Sequence, residues 1–181
     1  MKYNKLIVEG CDGVGKSTFI RALQKRLIEE TGHAWTVLKQ DPKGGCPERA
    51  RKTFETLPSF SIMDRSDYPS EMIYKKVLGD PLTWDKILEF HNLSPLIRDL
   101  GISYIWLQAP KGITKRRLEQ RGDDEHLIKH LKRIHLAYAK FFFDTYLPWI
   151  TLNTKDNVNT LVLSAMFQLG VIKEARGEYL C

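Results

Sequence analysis

Short apolar runs alternate with helical periodicities along this chain. Lys5-Leu6-Ile7-Val8-Glu9 is an apolar run of strand length that stops at Gly10. From 16 to 30 the apolar residues Phe19, Ile20, Leu23, Leu27 and Ile28 recur at helical spacing, and Gly32 supplies a stop. Further strands are predicted at 35–38, 60–63, 102–107 and 149–152, the fourth rich in β-branched and aromatic residues. Helical patterns cover 70–78, 82–100 with a break near Ser94-Pro95, 112–120 and 158–169. A long amphipathic helix follows the loop Arg121-Gly122-Asp123-Asp124, with Leu127, Ile128, Leu131, Ile134, Tyr138, Phe141 and Phe142 as its apolar face. Strands separated by helices predict an α/β fold, a parallel sheet covered on both faces. There is no internal repeat or linker, so 1–181 reads as a single domain.

Composition narrows the setting. No stretch approaches the roughly 20 apolar residues of a membrane helix, and residues 1–6 lead into the first strand without a signal-peptide core, so a cytoplasmic protein is expected. Cys11, Cys46 and Cys181 are odd in number and lack paired metal-ligand spacing, which points to reduced thiols. The net charge of +6 is concentrated between Lys111 and Lys140, where nine basic residues face four acidic ones. A patch this local suits a small polyanion as well as it suits nucleic acid.

The chemistry begins at Gly10-Cys11-Asp12-Gly13-Val14-Gly15-Lys16-Ser17-Thr18, which fits G-x-x-x-x-G-K-[ST] between a strand and an amphipathic helix. Glycines let the backbone turn its N–H groups inward onto phosphate oxygens, and the helix start adds its positive dipole end. Residues 12–18 are therefore the candidate ATP cradle. Lys16 can reach the β- and γ-phosphates, and the Ser17 hydroxyl can coordinate Mg²⁺. Asp64, ending the third strand, is the candidate acidic partner of that metal.

These residues resemble the thymidylate kinase-like nucleoside monophosphate kinases, including compact viral members. The resemblance rests on Glu9 to Thr18, on Asp64-Arg65 with Tyr68, Ser70 and Tyr74 after it, and on Arg117-Leu118-Glu119-Gln120-Arg121-Gly122. It implies a three-layer α/β/α P-loop fold with five parallel strands and a helical lid over ATP at about 117–126. It also implies Mg²⁺-ATP-dependent phosphorylation of a deoxynucleoside monophosphate, dTMP foremost. Asp12 would approach the acceptor 3′-hydroxyl, and Arg65 would hold the acceptor phosphate. Pro42, Tyr68, Ser70 and Tyr74 would line the substrate side. Arg117 and Arg121 would close over the transferring group, so that with Lys16, Asp64 and Arg65 they form the catalytic set. Homodimers formed by packed helices are implied too. The family's usual arginine after the second strand is replaced by Gln40, with Lys39 or Lys43 nearby as substitutes.

Two other readings stand beside this one. A deoxynucleoside kinase needs a base near the sugar 5′-hydroxyl; Glu29 and Glu30 lie too deep in the first helix and Asp41 remains, while Asp64-Arg65-Ser66 is similar to that group's acidic-Arg-Ser element. A non-catalytic P-loop module using the basic segment for nucleic acid is disfavoured by the presence of Lys16, Ser17, Asp64 and the lid arginines. A GTPase lacks its Asn-Lys-x-Asp guanine reader.

Overall fold

The computed structural model describes residues 3–40, 46–79 and 82–173. The chain runs β1 (Lys5–Glu9), α1 (Lys16–Thr31), β2 (Thr36–Lys39), α2 (Pro47–Thr56), β3 (Ser61–Asp64), α3 (Asp67–Leu78), α4 (Trp84–His91) and α5 (Ser94–Asp99). It continues with β4 (Ile102–Gln108), α6 (Lys111–Arg121), α7 (Glu125–Asp144), β5 (Trp149–Asn153) and α8 (Val158–Gln168). The strands form one parallel sheet in the order β2-β3-β1-β4-β5. Helix α1 packs on α8 and α3 on α7, giving three layers. β4 is buried from Ile102 to Leu107, which is why its sequence reads as a nearly continuous apolar run.

The sheet order decides where a site can form. The chain leaves β1 toward β2 on one side, returns through β3, and then crosses to β4 on the other side of β1. Ligand crevices in open parallel sheets lie at the carboxyl ends of strands where the order reverses. Val8 is in register with Asp64 of β3, and Glu9 with Trp106 of β4. The turn after β1 and the turn after β3 therefore leave neighbouring strands at nearly the same level.

Several elements differ from the sequence expectation. Helix α2 has no predicted counterpart, because only Pro47, Ala50 and Phe54 face inward along an otherwise polar segment. Pro47 at its start is the available signal. The expected break near Ser94-Pro95 falls at Asn92-Leu93; Pro95 sits in the first turn of α5, where its missing N–H costs nothing. α3 begins at Asp67 rather than Ser70, but Tyr68 has φ −115° and ψ 112°, so regular helix starts only after it. Gly32 ends α1 as expected, with φ 69° and its N–H on the Ile28 carbonyl.

Candidate active site

The loop after β1 is shaped by contacts that admit no side chain. At Gly10, φ is +142° and a Cβ would sit 2.6 Å from the Leu107 carbonyl oxygen of β4. At Gly13, φ is +76° and a Cβ would meet the Thr114 carbonyl oxygen and Leu118 Cγ of α6, each at 3.0 Å. Val14 is fully buried, anchoring the loop to the core. Gly15, left-handed at φ 104°, precedes α1, whose first N–H groups lack intrahelical acceptors. Lys16 curls under the loop, its Nζ donating to the carbonyls of Gly10 at 2.9 Å and Cys11 at 3.1 Å. Burial, with Arg65 nearby, lowers its pKa to about 8 against the pull of Asp12 and Asp64. Ser17 and Thr18 are exposed at the start of α1.

A second charged cluster stands beside the loop. Arg65 has φ 68°, a left-handed conformation that costs a non-glycine residue about 1–3 kcal/mol. Its Nη2 donates to Asp12 Oδ1 at 2.7 Å, to the Tyr74 hydroxyl at 3.1 Å and to the Gly10 carbonyl at 3.4 Å. The guanidinium carbon lies 5.1 Å from the centre of the Tyr74 ring. Its Nε–H is buried without an acceptor among the described residues. Tyr74 donates its hydroxyl proton to Asp12 Oδ2 at 2.7 Å, so both carboxylate oxygens of Asp12 are engaged. Burial pushes the Asp12 carboxyl up, but Arg65, Lys16 and the Tyr74 hydrogen bond outweigh it and hold it below its usual value.

Beneath this cluster lies Glu9, with no solvent exposure. Its Oε1 accepts from the Ser66 N–H at 2.8 Å; the Ser66 hydroxyl, 3.2 Å away, has one proton and lies closer to the Tyr68 carbonyl. Its Oε2 accepts from the hydroxyls of Ser70 at 2.8 Å and Tyr138 at 3.2 Å. Burial raises the Glu9 carboxyl above its ordinary value despite these donors and the charges of Arg65 and Lys16. On the far side of the loop, Cys11 Sγ lies 2.8 Å from His135 Nε2 of α7, and burial pushes the thiol up to about 12.

Helix α6 contributes the remaining arginines. Arg117 Nη1 donates to the carbonyls of Gly13 at 3.2 Å and Val14 at 3.1 Å, and Leu118 beside it is fully buried. Within the segment expected to be a lid, half-buried Arg117 thus meets the phosphate loop and Leu118 the core, while Glu119, Gln120 and Arg121 are exposed. Arg121, exposed at the end of α6, donates from Nε to Asp123 Oδ2 at 2.8 Å.

A cavity of about 670 Å³ gathers these groups. Asp12, Gly13, Gly15, Lys16, Ser17 and Thr18 line its loop side; Asp64, Arg65, Ser70 and Tyr74 come from β3 and α3, and Arg117 and Arg121 from α6. Ser17 and Asp64 offer a hydroxyl and a carboxylate, hard oxygen donors that suit Mg²⁺. Among the described residues no group of three or more His, Cys, Asp or Glu could hold a metal. Two protein donors fit an ion whose shell is otherwise phosphate and water.

Tyr68 requires a correction. Its ring is fully buried, stacked 5.8 Å from Phe90 and edge-on to Phe141, with its hydroxyl 3.1 Å from His91 Nδ1. It is a core residue and does not line the cavity, because the extended backbone at 68 turns its side chain toward α4 and α7. Pro42, with Asp41 and Lys43, lies outside the described residues. Lys39, one expected substitute for the family's arginine, lines the cavity, as do Gln40, Glu71 and Gln120, which were not among the expected site residues. Gln40 donates to Asp67 Oδ1 at 2.6 Å, and Arg49 of α2 grips the same carboxylate through Nε at 3.1 Å and Nη2 at 3.2 Å. For Glu71 the helical spacing to Tyr74 was the available signal.

Sheet, loop and flanking helices together define the three-layer P-loop fold. The chain superposes on YorR protein from Bacillus subtilis, solved in complex with phosphorylated GDP, with a TM-score of 0.65 and 22% identity over 92% of this chain and 95% of that one. It also superposes on deoxyadenosine kinase from M. mycoides. With dCTP bound, the TM-score is 0.62 at 20% identity over 93% of this chain and 100% of that one. With dCMP and dCDP the values are 0.60 and 16%, over 92% and 98%. No family model and no curated protein matches the sequence. Among the described residues no helix is long and apolar enough to cross a membrane.

Proposed function

We propose that this chain transfers the γ-phosphoryl group of Mg²⁺-ATP to the phosphate of a deoxynucleoside monophosphate, dTMP being the acceptor that the family resemblance names. The observation that carries the reading is the second cation. Arg65, fixed by Asp12 and Tyr74, lines the same cavity as Lys16. A left-handed arginine with an unsatisfied buried N–H is costly, and such strain persists where a function needs it. An acceptor that itself carries phosphate requires a cation of its own, separate from those that hold ATP.

Phosphoryl transfer is mostly positioning and charge stabilisation. Lys16 would exchange its loop carbonyls for phosphate oxygens of ATP. Ser17 and Asp64 would hold Mg²⁺, which when bound neutralises charge on the β- and γ-phosphates. Arg65 would orient the acceptor phosphate through paired hydrogen bonds, Asp12 keeping the guanidinium in place and facing the acceptor sugar. Arg117 would brace the loop from its carbonyl side, and Arg121 would swing from Asp123 onto the transferring group. Nucleotide-bound proteins of this fold support nucleotide chemistry in this cavity: YorR carries a guanine nucleotide, and the M. mycoides deoxyadenosine kinase, with dCMP as a product, favours the nucleoside acceptor of the second reading below.

A coupled ADP-release assay with ATP, Mg²⁺ and each dNMP and deoxynucleoside tests it. Turnover on dTMP but not thymidine is expected, with the acceptor KM raised in Arg65→Ala. Turnover on nucleosides alone would refute it. That outcome is the second reading, and Glu71 favours it: this cavity-lining carboxylate on α3, 3.2 Å from Lys75 Nζ, would have to exchange that ion pair to act as a base toward a 5′-hydroxyl. Under that reading Glu71→Gln abolishes nucleoside turnover.

A further inference from the structure

Glu9 is the most deeply buried charged side chain near the cavity, yet it does not line it. It cannot touch a nucleotide, so any part it plays is through the groups it holds. Those groups are unusual in number and in origin. One carboxylate receives the backbone N–H of Ser66, the hydroxyl of Ser70 and the hydroxyl of Tyr138. Ser66 directly follows Arg65, Ser70 opens the regular part of α3, and Tyr138 belongs to α7.

The Ser66 contact matters most. Arg65 sits at φ 68°, where an L-residue does not rest without outside help. Its own N–H is tied to the Val8 carbonyl at 3.1 Å, one residue before Glu9. The next N–H in the chain is tied to the Glu9 carboxylate at 2.8 Å. Two successive residues of β1 thus grip two successive N–H groups across the strained residue. The grip calls for a group that only accepts, because an amide would turn an NH₂ toward one set of donors.

We infer that Glu9 is a positioning residue that fixes the backbone turn at Arg65 and thereby the aim of its guanidinium at the acceptor phosphate. This rests on the reading of Arg65 given above. Ser70 and Tyr138 on the other carboxylate oxygen keep Glu9 from rotating away and bind α3 and α7 to the same point.

The test is a double-mutant cycle read in acceptor and ATP kinetics separately. Glu9→Gln is expected to raise the acceptor KM about tenfold while leaving the ATP KM within about twofold. In an Arg65→Ala background the same change should add nothing to the acceptor KM, because the group it aims is gone. Tyr138→Phe, which keeps the carboxylate and removes one donor, should give a smaller shift in the same direction, and it carries the cycle alone if Glu9→Gln does not fold. Additive effects, or acceptor and ATP KM rising together, would overturn the inference. If Arg65→Ala itself leaves the acceptor KM unchanged, the acceptor-phosphate reading fails first, and the cycle shows which of the two was wrong.

Discussion

Gly13 and Gly122 offer a paired measurement of how tightly the phosphate loop is locked to α6. Both are left-handed, at φ +76° and +71°, so alanine meets similar backbone strain at each, about 1 kcal/mol. They differ in what surrounds the new methyl group. At Gly122 nothing lies within 4 Å, whereas at Gly13 it meets the Thr114 carbonyl oxygen and Leu118 Cγ at 3.0 Å. Leu118 can yield, but the Thr114 carbonyl belongs to the α6 backbone and must move with it. Overpacking of that kind adds about 2 kcal/mol, for a total near 3 at Gly13. For a chain of this size that is a fall in Tm of about 6–12 °C for Gly13→Ala against about 2–4 °C for Gly122→Ala. Thermal unfolding followed by circular dichroism at matched concentration, without nucleotide, reads the difference directly. If the two variants melt within about 2 °C of each other, α6 does not press on the loop as described, and the packing of Arg117 on the loop carbonyls falls with it.

Three further outcomes follow. Lys16 has a folded pKa of about 8, depressed from the usual lysine value, and phosphate oxygens would restore the charge. ATP binding at pH 8.5 should therefore take up protons and at pH 6.5 should not, as calorimetry in two buffers of different ionisation enthalpy will show; an equal uptake in Lys16→Met refutes the assignment. By linkage the same depressed pKa makes Lys16 unfavourable to folding below pH 8, a cost relieved as pH rises from about 8 toward the unfolded value near 10.4. Tyr68→Phe should lower Tm by about 2–4 °C through loss of its His91 contact, with acceptor KM unchanged; a raised KM would return Tyr68 to the substrate wall. Arg121→Ala should lower kcat by about tenfold or more at unchanged Tm, whereas Arg117→Ala should lower both.

Contiguous features were legible in the sequence and convergent ones were not. The phosphate loop is a single run of residues whose types are dictated by backbone approach to phosphate, so it could be placed on its strand and helix directly. Asp64 and Arg65 could be placed because they end an apolar run. The Glu9 cluster draws on β1, α3 and α7 through two serines and a tyrosine, residue types common in any surface segment, and nothing in their spacing announces a meeting point. Tyr68 shows the opposite difficulty. A tyrosine three residues after one cavity-lining position, Arg65, and two before another, Ser70, can turn either way, and the extended backbone at 68 decides it. Helix α2 was missed because a polar segment with three inward residues carries little periodic signal.

The registers described for β1 have a consequence for how such a protein can change over generations. Asp64 stands opposite Val8, and Glu9 opposite Trp106, because the ladder of main-chain hydrogen bonds puts them there. Relative placement of the two turns is thus inherited from the peptide backbone, which every substitution leaves intact. Mutation can exchange most apolar side chains of the sheet for others of similar bulk without disturbing the spacing between phosphate loop and arginine. Insertions are another matter: one residue added inside β1 or β3 would slide one turn past the other by a full strand step, roughly 3.3 Å, and undo the alignment at once. Lineages descended from this chain should therefore vary freely in identity within those strands and hardly at all in their length.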